Sequence, residues 1–159
     1  MSIPTGQCFE LAVLTVFPVT PPHLREILDG LSYRIHEVHD IRGVVEFLST
    51  RRAPVVLCHC AFPGGSWKDI LEYISALSCP PRLIVTSETA DEFLWAEVLN
   101  LGGYDVLAQP FWAPEVASLA RTLSSALRGW EEEASNAGLH KQPRATRVKF
   151  VDGYERKTS

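Results

Sequence analysis

Leu101-Gly102-Gly103-Tyr104-Asp105-Val106-Leu107-Ala108-Gln109-Pro110-Phe111 is the stretch on which the fold turns. Paired glycines close a helical run, because a residue without Cβ enters the left-handed backbone conformation that ends helices. Tyr104 to Ala108 then reads as a short strand. Pro110 cannot donate to a sheet ladder and turns the chain into a further segment whose apolar residues Val116, Leu119, Ala120, Leu123 and Leu127 recur near helical spacing. The unit is helix, glycine turn, strand, proline turn, helix.

The same alternation runs upstream. Phe9 to Phe17 is dense in apolar residues, too short for a buried helix, and reads as a central strand. Thr20-Pro21-Pro22 opens a helix carrying Leu24, Ile27, Leu28 and Leu31, with Thr20 the candidate cap. Tyr33 to Val38 is a more polar strand suited to an edge. Asp40 caps a second helix with Val44, Val45, Phe47 and Leu48 on its apolar side. Ala53 to Cys60 is the third strand, Phe62-Pro63-Gly64-Gly65 a loop, and Ser66 the start of a helix bearing Ile70, Leu71, Ile74 and Leu77. Leu83 to Thr86 is the fourth strand and Thr89 to Leu101 the fourth helix, with Phe93, Ala96 and Val98 or Leu99 expected at its core positions. Five strands buried on both faces, each returning through a helix, predict a doubly wound, five-stranded parallel α/β sheet.

The 159 residues fit one domain, expected over 8–129. Residues 130–159 read as a flexible or partly docked tail, in which Val148-Lys149-Phe150-Val151 is a candidate strand or docking peptide. The apolar and charged fractions, 46% and 21%, are those of an ordinary globular protein. The net charge of −4 hides an asymmetry: residues 1–127 sum to −6 and residues 128–159 to +2. That balance, with no helical pattern after 130 suited to a helix-turn-helix, argues against a nucleic-acid partner. No apolar run reaches the ~18–20 residues of a membrane span. With no signal-peptide pattern at the N-terminus either, a cytoplasmic location is expected.

Cys8, Cys58, Cys60 and Cys79 suggest small buried hydrophobes more than a disulfide framework. Cys58-His59-Cys60 invites a zinc reading, but alternate strand residues point to opposite faces, so one ion could not take all three. No Gly-x-Ser-x-Gly elbow and no glycine-rich phosphate loop occurs. No metal, cofactor or catalytic activity is expected.

Three passages in order resemble the receiver domain of bacterial two-component response regulators: His59-Cys60-Ala61-Phe62-Pro63-Gly64, Val85-Thr86-Ser87-Glu88, and the Gly102 to Phe111 stretch. The resemblance covers roughly residues 9–128 and implies a flavodoxin-like (βα)5 fold. It also implies a phosphorylation site at the carboxyl ends of the strands. Such a site needs an acidic pair for Mg²⁺, a nucleophilic Asp, a Thr or Ser, a Lys and a switching aromatic. Here the corresponding positions hold Thr15 and Val16, His59, Thr86, Gln109 and Val106, and only Thr86 matches. The expectation is a degenerate receiver that works without aspartyl phosphorylation, as a protein-interaction module. Its partner would be a sensor kinase, regulator or effector, or a second copy in a homodimer. A small-molecule-binding regulator using the vacated pocket near Thr15, His59, Thr86 and Gln109 is the alternative. The resemblance also implies an interaction face on the fourth helix, fifth strand and fifth helix. Glu92, Trp95, Glu97, Leu99 and Tyr104 fall there, with Trp112 and Arg121 nearby. Packing of Trp95 in the core is the competing reading of that residue.

Overall fold

The computed structural model describes residues 12–31, 33–111 and 113–137. In chain order its elements are β1 (Ala12–Val16), α1 (Pro22–Gly30), β2 (Arg34–Val38), α2 (Ile41–Thr50), β3 (Val55–His59), β4 (Ala61–Phe62), β5 (Gly65–Ser66), α3 (Trp67–Ser75), β6 (Arg82–Ser87), α4 (Glu92–Leu101), β7 (Asp105–Ala108) and α5 (Ala113–Ala137). Five strands form one parallel sheet in the order β2-β1-β3-β6-β7. The reversal of direction after β2 places two helices on one face and three on the other. On the first, Leu24 and Leu28 of α1 pack with Leu119, Leu123 and Ala126 of α5 against Val13, Val55, Leu57 and Ile84. On the second, Val44 and Leu48 of α2, Ile70 and Ile74 of α3 and Val98 of α4 pack against Leu14, Val56, Leu83 and Val85. Alternation of side chains along each strand feeds both cores, which is why the central strands read as unbroken apolar runs.

Several local signals act as the chemistry requires. The Asp40 carboxylate accepts from the Gly43 N–H at 3.0 Å and caps α2. Ser66 and Asp69 form a reciprocal capping box at α3. Gly102 takes φ 111° at the end of α4, in the left-handed region that favours glycine. β2 is indeed an edge strand.

Other expectations are corrected. Thr20 does not cap α1; Pro21 occupies the cap position without a side-chain bond. The Phe62-Pro63-Gly64-Gly65 segment is not a plain loop but the turn of a small antiparallel hairpin, β4 with β5, with Gly64 at φ 85°. α4 starts at Glu92 rather than Thr89, because Asp91 accepts from the Leu94 N–H and sets its first turn. Within α4 only Val98 is buried; Phe93 and Ala96, expected in the core, face outward. α5 runs to Ala137, through the Glu131-Glu132-Glu133 run. Its buried stripe runs Leu119, Leu123, Ala126, Trp130, Ala134, and the Trp130 indole N–H donates to the Cys79 carbonyl at 3.4 Å. Arg82 at the start of β6 pairs with Glu133 at 2.8 Å. Phe9 to Leu11, Cys8, Trp112 and the Val148–Val151 segment lie outside the described residues.

Candidate functional site

The carboxyl ends of β1, β3, β6 and β7 meet at one end of the sheet, where open parallel α/β sheets place their ligand sites. In register, His59 stands beside Thr86, and Thr86 beside Leu107. The Thr86 hydroxyl, fully buried, donates to Gln109 Oε1 at 2.6 Å. His59 Nδ1 lies 3.0 Å from the Ala61 carbonyl oxygen, and its ring is 6.0 Å from that of Phe17. Ser87 Oγ accepts from the Thr89 N–H at 3.0 Å, fixing the turn after β6. His59, Thr86 and Gln109 are therefore gathered at the strand ends, as the spacing predicts.

Thr15, Val16 and Val106 sit differently. Thr15 is buried one step inside the sheet, and its hydroxyl lies 3.4 Å from the His36 carbonyl oxygen, toward β2. Val16 is buried in the core shared with Cys58, and Val106 is half-buried at the margin of the same core. The residue that faces His59 from β1's end is Phe17, 1% exposed, with its carbonyl 2.8 Å from His39 Nδ1. Phe17 closes the Thr15–Phe17 strand end, one of the places where the sequence puts the functional questions. Only the strand register, Val16 opposite Cys58, puts it level with His59.

The donors here do not fit a hard divalent cation. Mg²⁺ is held through carboxylate and water oxygens, and this corner offers a phenyl ring, a hydroxyl turned away, an imidazole and a carboxamide already bonded to Thr86. We derive no phosphoryl chemistry through such an ion. Among the described residues, no three His, Cys, Asp or Glu side chains converge. Cys58 lies on the far side of β3 from His59. Burial, together with neighbouring Cys60, pushes its thiol far above the ordinary range, so it stays protonated.

The Thr86–Gln109 bond can be weighed directly. Thr86→Val keeps the shape but leaves Gln109 Oε1 without its donor. The expected loss is about 1–2 kcal/mol in urea unfolding; an unchanged midpoint would mean that Gln109 finds another partner at no cost.

A second surface stands out at α4. Phe93 is 85% exposed, Leu101 53% and Trp95 51%. At 100° per residue, Phe93 and Leu101 lie on the flank that carries Glu97, ion-paired with Lys68 of α3. Trp95 lies on the opposite flank, toward edge strand β7, beside half-buried Leu99. Of the other expected face residues, Glu92 and Arg121 are exposed. Tyr104 is half-buried and its hydroxyl is bonded to Ser125. On the free edge of β7, Asp105 accepts from the Val106 N–H at 2.8 Å and from the Thr122 hydroxyl at 3.1 Å, which blunts strand addition there.

No family model and no curated protein matches the chain. Solved structures do. The signal receiver domain of an HD domain-containing protein from Pseudomonas fluorescens Pf-5 superposes with a TM-score of 0.71 at 22% identity, over 85% of this chain and 97% of that one. The signal receiver domain of a protein assigned as a Luxo repressor from Vibrio parahaemolyticus gives 0.69 at 19%, over 79% and 95%. A structure of adenylate cyclase from Rhodopirellula baltica gives 0.68 at 12%, over 82% and 97%. At these identities the likeness speaks of architecture, and with the strand order and helix placement above it is decisive: the chain has the receiver-domain fold, a five-stranded parallel α/β sheet of the flavodoxin-like kind.

Proposed function

We propose that this chain is a non-catalytic receiver-fold module of two-component-type signalling that acts by binding a protein partner and not by aspartyl phosphorylation. The observation that carries this reading is the contrast between the two surfaces. At the strand ends, the positions of the acidic pair are held by buried Thr15 and Val16, neither a carboxylate, and the Thr86 hydroxyl is engaged by Gln109. On α4, an aromatic pair and a leucine are left in solvent. Large aromatic side chains are enriched among residues that dominate binding energy, whereas a soluble surface gains nothing by exposing them.

Amide NMR with Mg²⁺ and beryllofluoride, a mimic of the aspartyl phosphoryl group, tests the first half. The spectrum is expected not to change. Saturable shifts at His59 and Thr86 would overturn the reading and make the domain a phosphate-responsive switch. For the second half, Trp95→Ala is expected to weaken capture of the protein partner from host extract by about 30-fold or more, the scale of an aromatic hot spot. Thr86→Val should leave capture unchanged. Equal loss from both variants would point away from α4.

A further inference from the structure

α4 shows solvent a complete packing face. Phe93, Ala96, Glu97, Asn100 and Leu101 recur at i, i+3, i+4, i+7 and i+8, the spacing by which a helix meets a neighbour. All five are exposed, Phe93 most of all. At 100° per residue they fill one sector of about 140°, from Ala96 round to Leu101, with Glu92 and Trp95 outside it. The sector turns toward α3, whose Lys68 reaches Glu97 at 2.5 Å. That pair leaves the face without net charge, although α4 begins among Glu88, Asp91 and Glu92.

The face is complementary to itself. Phe93 and Leu101 stand four residues either side of Glu97, so a two-fold axis at Glu97 brings the large apolar end of one copy onto the smaller apolar end of the other. The row Phe93-Glu97-Leu101 then enters the groove beside Ala96 and Asn100, whose short side chains let the helices approach; rows spaced four apart on both helices make the commonest crossing of packed helices. The charges suit a second copy as well. The one acid in the sector already has a cation, so the face offers a basic or an acidic stranger little to pair with. An antiparallel arrangement carries Asp91 and Glu92 of one helix past Gly102 and Gly103 of the other, away from their own counterparts. The side toward β7 is less open to such a contact, because Asp105 engages the Val106 N–H and Tyr104 is tied to Ser125.

We propose that a second copy of this chain occupies this face: α4 packs antiparallel on α4 about a two-fold axis at Glu97, with Phe93 of each copy against Leu101 of the other. The two Lys68–Glu97 pairs meet at the axis, each lysine beside the other copy's carboxylate. Two ten-residue helices make a contact at the small end of specific interfaces, below about 1,200 Å² in total, so the dimer is reversible. It leaves the Trp95 flank in solvent for the protein partner proposed above, and it does not depend on that reading.

Sedimentation velocity of the full chain over a concentration series tests the dimer, with an amide spectrum of each variant to verify its fold. A reversible monomer–dimer equilibrium is expected. Phe93→Asp is expected to raise the dissociation constant by about 30-fold or more, the scale of losing an aromatic anchor, and Trp95→Ala to leave it unchanged. A chain that stays monomeric throughout the series, or a dimer that Phe93→Asp leaves intact or Trp95→Ala weakens as much, overturns the proposal. Mixing Phe93→Cys and Leu101→Cys chains under mild oxidation reads the register independently. Peptide mapping is expected to find residue 93 of one chain joined to residue 101 of the other; joining of 93 to 93 instead, or no joining between the two, overturns the antiparallel contact. The two readings fail separately. A dimer of this kind with partner capture indifferent to Trp95→Ala removes the partner reading alone. Capture that depends on Trp95, by a chain that stays monomeric, removes the dimer alone.

Discussion

Replacing Trp130 by alanine is expected to destabilise the domain by about 3–5 kcal/mol, the usual cost of truncating a buried aromatic side chain. In a domain of this size that lowers the melting temperature by roughly 10–20 °C. Trp130 is 2% exposed although it lies after the last residue the receiver resemblance covers. It buries its ring in the stripe of α5 between Ala126 and Ala134, and its N–H donates to the Cys79 carbonyl. The neighbouring Arg82–Glu133 pair is half exposed and adds at most about 1 kcal/mol. Burial raises the Cys79 thiol pKa, and nearby Glu133 raises it further against the pull of Arg52 and Arg82. α5 therefore seals the amino end of the sheet. Chemical unfolding of Trp130→Ala beside Glu133→Ala separates the two contributions: a large loss for the first and a small one for the second is the expected pattern. A loss below about 1 kcal/mol for Trp130→Ala would place it with ordinary surface substitutions and refute the docking of this turn.

Trp130 shows what sequence leaves open. Periodicity gave α5 as far as Leu127, and Glu131-Glu132-Glu133 allowed the helix to extend without showing which side faces inward. Only the neighbours reveal that the helix turns a narrow stripe of Ala126, Trp130 and Ala134 inward while those three acids stay outside. The strands were legible because central parallel strands are buried on both faces, and the caps at Asp40 and Ser66 because one hydrogen bond within three residues defines them. At the strand ends, His59, Thr86 and Gln109 were legible by spacing, but the engagement of Gln109 by Thr86 and the approach of Phe17 to His59 depend on register and on two loops. α4 misled in the other direction. It is apolar nearly all round, and such a helix reads as buried. In fact it sits at the side of the sheet with one flank free, so the residues that looked like core, Phe93 and Ala96, are the ones left outside.

That arrangement leaves α4 anchored through little, and Gly103 is the place to test it. Gly103→Ala is expected to cost about 1–3 kcal/mol, as overpacking of a tight core does, and to loosen α4 before the rest of the fold. A Cβ on Gly103 would lie well inside van der Waals contact of Val98 Cγ1 and 3.1 Å from the Val98 carbonyl oxygen, which accepts the Gly103 N–H at 2.8 Å. Val98 is the one fully buried side chain of α4, and a β-branched residue on a helix has nearly a single rotamer open to it. The methyl group can be accommodated only by lifting Val98, and with it the helix, off β6 and β7. Gly102 fails by another route: its φ of 111° strains any other residue, but a Cβ there meets open space. Gly102→Ala should thus cost about 1–2 kcal/mol through the backbone alone and leave α4 seated. Hydrogen exchange distinguishes them. In Gly103→Ala the amides of α4 should exchange faster while those of β3 and β6 keep their protection relative to global stability, since α4 opens as a separate unit. In Gly102→Ala protection should fall evenly across the domain. If Gly103→Ala instead lowers all amides together, α4 is held by more than Val98, and the exposed face it presents is a rigid part of the core.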